Sequence, residues 1–182
     1  MLIAYGLLTA GVVGTQLLMG EPISTLWIRA DAPPPSLPLD LGLGAGLGLT
    51  VTLLSQWCSQ RFLWAASLDE ELRPLFRGSS SLSLCGLALM TGVVEELLFR
   101  GLLQPLLGFV GASLLFGLAH PPRRRHHWPW TVAATIMGFA FGGLYLWRGN
   151  LIAPIVAHFT INHFNLHALV FDEQLLRWRS TK

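Results

Sequence analysis

The chain has 182 residues, 52% of them hydrophobic and only 12% charged, about half the charged share of a soluble domain. That composition excludes an ordinary soluble globule, and a formal net charge of +2 gives no ground for a nucleic-acid partner. Two cysteines, Cys58 and Cys85, are too few for a disulfide framework and border apolar segments, where they read as small buried hydrophobes.

Six apolar segments follow in chain order. At roughly 20 residues per span, they predict an all-α fold, a polytopic membrane helix bundle of about six transmembrane helices. Residues 2–19 form the first span; it lacks the basic start and small-residue cleavage site of a removable leader and reads as a retained helix. Residues 21–40 read as a polar loop, with Pro33, Pro34, Pro35 and Pro38 opposing helix. The second span, 41–58, is rich in glycine. Gly42, Gly44, Gly46 and Gly48 there, and Gly138, Gly142 and Gly143 further on, permit close helix packing. Residues 59–81 carry Arg61, Asp69, Glu70, Glu71, Arg73 and Arg77 and read as a helical extension with a surface loop. The third span starts at 82, holds Glu95 and Glu96, and runs past Arg100 to about 106. A break at 107–111 leads to a short fourth span, 112–120, which stops at Pro121 and Pro122. The basic and aromatic loop PPRRRHHWP precedes a fifth span at 130–147 and a sixth at 151–171. There is no internal repeat.

Lysines and arginines set the orientation. Nine of the twelve fall on the side of the two termini: Arg61, Arg73, Arg77, Arg123, Arg124, Arg125, Arg177, Arg179 and Lys182. Arg29, Arg100 and Arg148 fall on the other, so both termini are expected in the cytoplasm. Arg123–Arg125 with His126 and His127 are read as topology signals and contacts to anionic lipid.

Ten residues are acidic, yet only Glu95 and Glu96 lie well inside an apolar segment. An ionisable group at bilayer depth costs roughly 2.5 kcal/mol or more, which makes both functional candidates. Glu96 precedes Arg100 by one helical turn in the favourable order for an ion pair. Glu95 points about 100° away around the helix and lacks that partner, as a general base would. His120 closes the fourth span, and His158 and Asn162 share a face of the sixth. At about 1.5 Å per residue, Glu95, His120, His158 and Asn162 lie roughly 14–20 Å from the non-cytoplasmic turns, a common depth. His163 and His167 fall off that face and read as packing or interfacial residues.

EELLFR at Glu95–Arg100, FGLAH at Phe116–His120 and HFTIN at His158–Asn162 resemble the three motifs of the CAAX-protease and bacteriocin-processing family of intramembrane proteases, EExxxR, FxxxH and HxxxN in that order. The resemblance covers about two-fifths of the chain, which has fewer helices than the prenyl-protein endopeptidases of that family. It implies a single intramembrane protease domain over 1–182 with a catalytic core at about 82–171. It also implies that Glu95 and His120 activate a water, that His158 and Asn162 stabilise the oxyanion, and that Glu96 and Arg100 support the site. The substrate would be a membrane-anchored protein or peptide in the lipid bilayer.

Two alternatives stand beside this reading. His120, His158 and Glu95 have the donor types of a zinc site with one open position. Against zinc, there is no H-E-x-x-H and Asn162 is a poor ligand, so the expected mechanism uses no cofactor. The second alternative is a non-catalytic membrane protein for immunity, scaffolding or transport, its polar residues forming a structural network or an ion path. The compact size, retained first helix and lack of organelle signals point to a bacterial inner membrane. The sequence sets no oligomeric state.

Overall fold

The computed structural model describes residues 2–171, with side chains from residue 4 onward. Arg177, Arg179 and Lys182, used above for orientation, lie outside the described residues. Seven α-helices carry most of the described chain: α1 Leu2–Leu18, α2 Leu37–Arg61, α3 Leu63–Phe76, α4 Ser81–Glu96, α5 Gln104–Leu118, α6 Trp128–Arg148 and α7 Ile152–Phe171. A π-helical segment, Leu97–Leu103, joins α4 to α5. The fold is an all-α membrane helix bundle.

Three stretches are long and apolar enough to cross a membrane: Leu37–Arg61, Ser81–Leu118 and Arg125–Arg148. The second contains the predicted third span and most of the fourth, which ends at Leu118 rather than 120, and the predicted break falls at Gly108, whose φ of 75° and ψ of 169° leave helical geometry. Glycine adopts that backbone without the clash a Cβ would bring. α7 is not in that group of three. Its histidines and asparagines lower its hydropathy, and it is packed against α2, α4 and α6. α1 is a shorter apolar helix over Ala4–Leu18.

Two expected boundaries move. α2 begins at Leu37, not at 41, because Pro38 falls in its first turn, where a missing N–H costs nothing. It also continues to Arg61, where Phe62 turns extended and starts α3 as a separate helix. The predicted loop before α2 is partly ordered: a 3-10 turn at Ile23–Leu26 buries Leu26. Beyond it, Ile28 bridges Asn150, and the Arg29 N–H donates to the Gly149 carbonyl at 2.8 Å. The loop thus closes over the turn between α6 and α7.

Asp40, at the end of the predicted loop, is fully buried. Arg148 Nε donates to its Oδ1 at 2.5 Å, and Asn150 Nδ2 donates to its Oδ2 at 3.1 Å. Of the glycines in α2, Gly44 and Gly48 alone serve close packing; a Cβ there would stand 2.6 Å from the Ala153 carbonyl and from Thr160 Cβ of α7. Gly42 and Gly46 have nothing within 4 Å, and neither does Gly143 in α6.

The basic loop also departs from expectation. His127 is fully buried and its Nε2 bonds Ser67 Oγ of α3 at 2.8 Å, while His126 reaches the same hydroxyl at 3.0 Å. Arg123 and Arg124 both pair with Glu71 of α3. These contacts join the loop to α3, while the Arg123 and Arg124 side chains remain 47% and 65% exposed. At the centre, Phe99, Phe116 and Phe141 close around Ala157, with edge-on ring pairs between Phe99 and Phe116 and between Phe116 and Phe141. This cluster is the wall against which the polar residues of α4, α5 and α7 are set.

Candidate active site

Helix α4 ends on Glu96, and the wider π turn starts at the next residue. Single π turns are frequent at functional sites because they re-aim side chains on a continuing helix. Here the two glutamates diverge. Glu96 turns inward with no exposed surface, and its Oε1 accepts from Arg100 Nη1 at 3.0 Å and from His158 Nδ1 at 2.8 Å. The Arg100 guanidinium, itself 1% exposed, donates from Nη2 to the Gly138 carbonyl at 3.0 Å and lies over the Phe116 ring at 4.4 Å. Glu96 therefore neutralises Arg100, as the spacing predicts, and also holds His158.

Glu95 faces another way. Its Oε2 is buried without a hydrogen-bond partner and lies 3.9 Å from both His120 Nε2 and His158 Nε2. That separation is too long for a direct hydrogen bond. The other faces of the two imidazoles are fixed. His120 Nδ1 bonds the Phe116 carbonyl at 2.7 Å, and a carbonyl only accepts, so the proton sits on Nδ1 and Nε2 of the neutral ring is bare. Thr131 Oγ1 donates to the His120 carbonyl at 2.7 Å and ties the end of α5 to α6. His158 is in the same position: with Glu96 ionised beside Arg100, its Nδ1 donates and its Nε2 turns to Glu95. The His158 ring stacks on Phe141 at 5.3 Å and is 7% exposed, against 23% for His120, so His158 forms the floor and His120 the rim.

The structure thus gathers Glu95, Glu96, Arg100, His120 and His158, from three separate stretches of chain. Asn162 stands one turn further along α7, and its Nδ2 donates to Thr91 Oγ1 at 2.9 Å rather than to Glu95. Thr91 lies one turn before Glu95 on α4, and its hydroxyl donates in turn to the Ala88 carbonyl. His163 stacks on Phe159 at 5.3 Å, and His167 bonds Ser81 Oγ at 2.8 Å, both away from the cluster as expected.

A cavity of about 260 Å³ opens beside Glu95 and His120. Ala4, Tyr5 and Leu8 of α1 wall it on one side, and Leu98, Phe99 and Ala119 on the other. The Tyr5 hydroxyl donates to Glu95 Oε1 at 3.0 Å. Sequence reasoning passed over both Tyr5 and Thr91. The signal for Tyr5 was a lone phenol in an uncharged, largely apolar helix, since a tyrosine hydroxyl in such surroundings seeks a partner. Among the described residues, no group of three or more His, Cys, Asp or Glu side chains is disposed to hold a metal ion.

Comparison with known proteins bears on the same stretch. Residues 77–164 match the family described as type II CAAX prenyl endopeptidase Rce1-like. A curated Bacillus subtilis (strain 168) protein, YpbD, described as uncharacterised, is 41% identical over 76 residues, covering 42% of this chain and 40% of that protein. The chain therefore spans about two-fifths of the length of that relative. No solved structure matches significantly.

Proposed function

We propose, from the match of residues 77–164 to the Rce1-like family of CAAX endopeptidases, that this protein is an intramembrane endopeptidase that hydrolyses a membrane-anchored protein or peptide. The observation that carries this reading is the convergence of an unpartnered buried carboxylate oxygen with two imidazole nitrogens, each 3.9 Å away, beside an open cavity.

Two acceptors, Glu95 Oε2 and His120 Nε2, face the same gap. A water between them can direct one proton to each, which turns its oxygen lone pair toward a peptide carbonyl. Glu95 takes the proton as the C–O bond forms and returns it to the amine as the C–N bond breaks. The developing oxyanion needs donors already in place. Asn162 uses one of its two amide hydrogens on Thr91 and keeps the second for that purpose. His158 donates from Nε2 only when its ring carries both protons, one of them held by Glu96. Glu96 and Arg100 support the site by fixing His158 and the π turn. The catalytic core is 82–171 within a single domain, 1–182. The setting is a bacterial inner membrane, with both termini in the cytoplasm and a membrane-anchored protein or peptide tail as substrate.

Comparing protein termini by mass spectrometry in membranes of cells carrying wild type or Glu95→Gln tests this reading. Glu95→Gln keeps shape and hydrogen bonding but removes the base, so at equal abundance at least one new terminus present with wild type is expected to vanish. Identical termini in the two membranes refute the protease and favour a structural polar network. Stoichiometric zinc in purified active protein, with activity lost to a chelator, would instead assign the water to a metal held by His120, His158 and Glu95.

A further inference from the structure

The first helix lies outside the family-matched stretch, yet it supplies the one hydrogen bond that Glu95 receives among the described residues. Tyr5 is half-buried on α1, and its ring stands in the wall of the cavity that Glu95 and His120 share. The phenol donates to Oε1 of Glu95, and the opposite oxygen, Oε2, is the one that faces both imidazoles. A glutamate side chain has three rotatable bonds, and a carboxylate in an apolar cavity can swing toward either wall. One charge-assisted hydrogen bond to one oxygen fixes the rotation of the other.

We propose that Tyr5 is a positioning residue, holding the Glu95 carboxyl so that Oε2 meets His120 and His158. This inference rests on the reading of Glu95 as general base. It makes α1 part of the working site and gives this chain a feature that its EExxxR, FxxxH and HxxxN motifs do not encode. Packing alone would need only the ring. Positioning needs the hydroxyl, and that difference can be measured.

The test uses the full chain in lipid vesicles and a synthetic peptide spanning the junction identified from the termini comparison. Wild type, Tyr5→Phe, Tyr145→Phe and Glu95→Gln are compared. Tyr145 is a fitting control, because its hydroxyl is buried without a hydrogen-bond partner and its ring is not part of the cavity lining beside Glu95 and His120. Tyr5→Phe is expected to lower kcat about tenfold, the effect of losing one hydrogen bond to a charged group, with KM held within about twofold. Tyr145→Phe is expected to match wild type. Infrared spectra supply a readout besides turnover: the carboxyl band that disappears in Glu95→Gln is expected to shift in Tyr5→Phe and not in Tyr145→Phe. An unchanged kcat in Tyr5→Phe, or a raised KM at constant kcat, overturns the positioning role while leaving the protease reading intact. Undiminished cleavage by Glu95→Gln overturns the reading of Glu95 as general base, and an unshifted band in Tyr5→Phe then shows that the phenol does not hold this carboxyl.

Discussion

Arg100 is the largest side chain among those fully enclosed in the described structure, and its surroundings explain why it is not a lysine. Its planar fork meets Glu96 and the Gly138 carbonyl together while its face lies on Phe116. An ammonium offers no such plane. Removing one member of a buried ion pair strands the other, at about 3–5 kcal/mol. Arg100→Leu is therefore expected to lower the thermal stability of the detergent-solubilised protein sharply. The double change Arg100→Leu with Glu96→Leu is expected to recover much of the loss in the same melts, since two apolar groups leave no stranded charge. If the double change melts lower than the single, the pair is not what stabilises this region. At this scale the sequence was informative wherever partners lie a helical turn apart. The four-residue step from Glu96 to Arg100 announced their pairing. The contacts of Glu96 with His158, Asn162 with Thr91 and Tyr5 with Glu95 join helices distant in the chain, and no local spacing encodes them.

Among the elements, the π turn Leu97–Leu103 is the hinge on which the candidate site depends. Gly101 sits within it because the 3-10 turn Ile23–Leu26 presses on the same spot: a Cβ at Gly101 would stand 2.6 Å from the Leu26 carbonyl oxygen. That atom is backbone and cannot rotate aside. Gly101→Ala is expected to destabilise by about 1–3 kcal/mol, by pushing the 3-10 turn away, and thermal melts of the variant in detergent check the magnitude. Little or no change would mean that the loop yields freely. Element identity was legible in the apolar runs, since a run of span length leaves few choices, but not in α3, which read as an extension of the second span. Element ends were less so. Pro38 resembled a helix breaker but occupies a first turn, and Phe62 carried no breaker signal, yet it divides α2 from α3. The π turn left no trace in composition, because its seven residues LLFRGLL differ from helix only in hydrogen-bond register.

For the molecule as a whole, charge on the loops sets the expected orientation, and several of those charges also have partners. Arg123 and Arg124 meet Glu71, and Arg148 meets Asp40. A fluorescent protein fused at either terminus is expected to glow and alkaline phosphatase at the same points to stay inactive, the pattern of cytoplasmic ends; the reverse pattern would invert the bundle. The kink at Gly108 has a consequence for synthesis. It folds one long apolar stretch back on itself, so that Glu95 and His120 come from a single hairpin, whereas His158 belongs to a helix made later. On the proposed roles, a nascent chain holds the base and its first imidazole well before the floor of the site exists. The enzyme would stay inert on the ribosome and gain its activity only when α7 docks, a built-in safeguard against cutting its neighbours at the translocon.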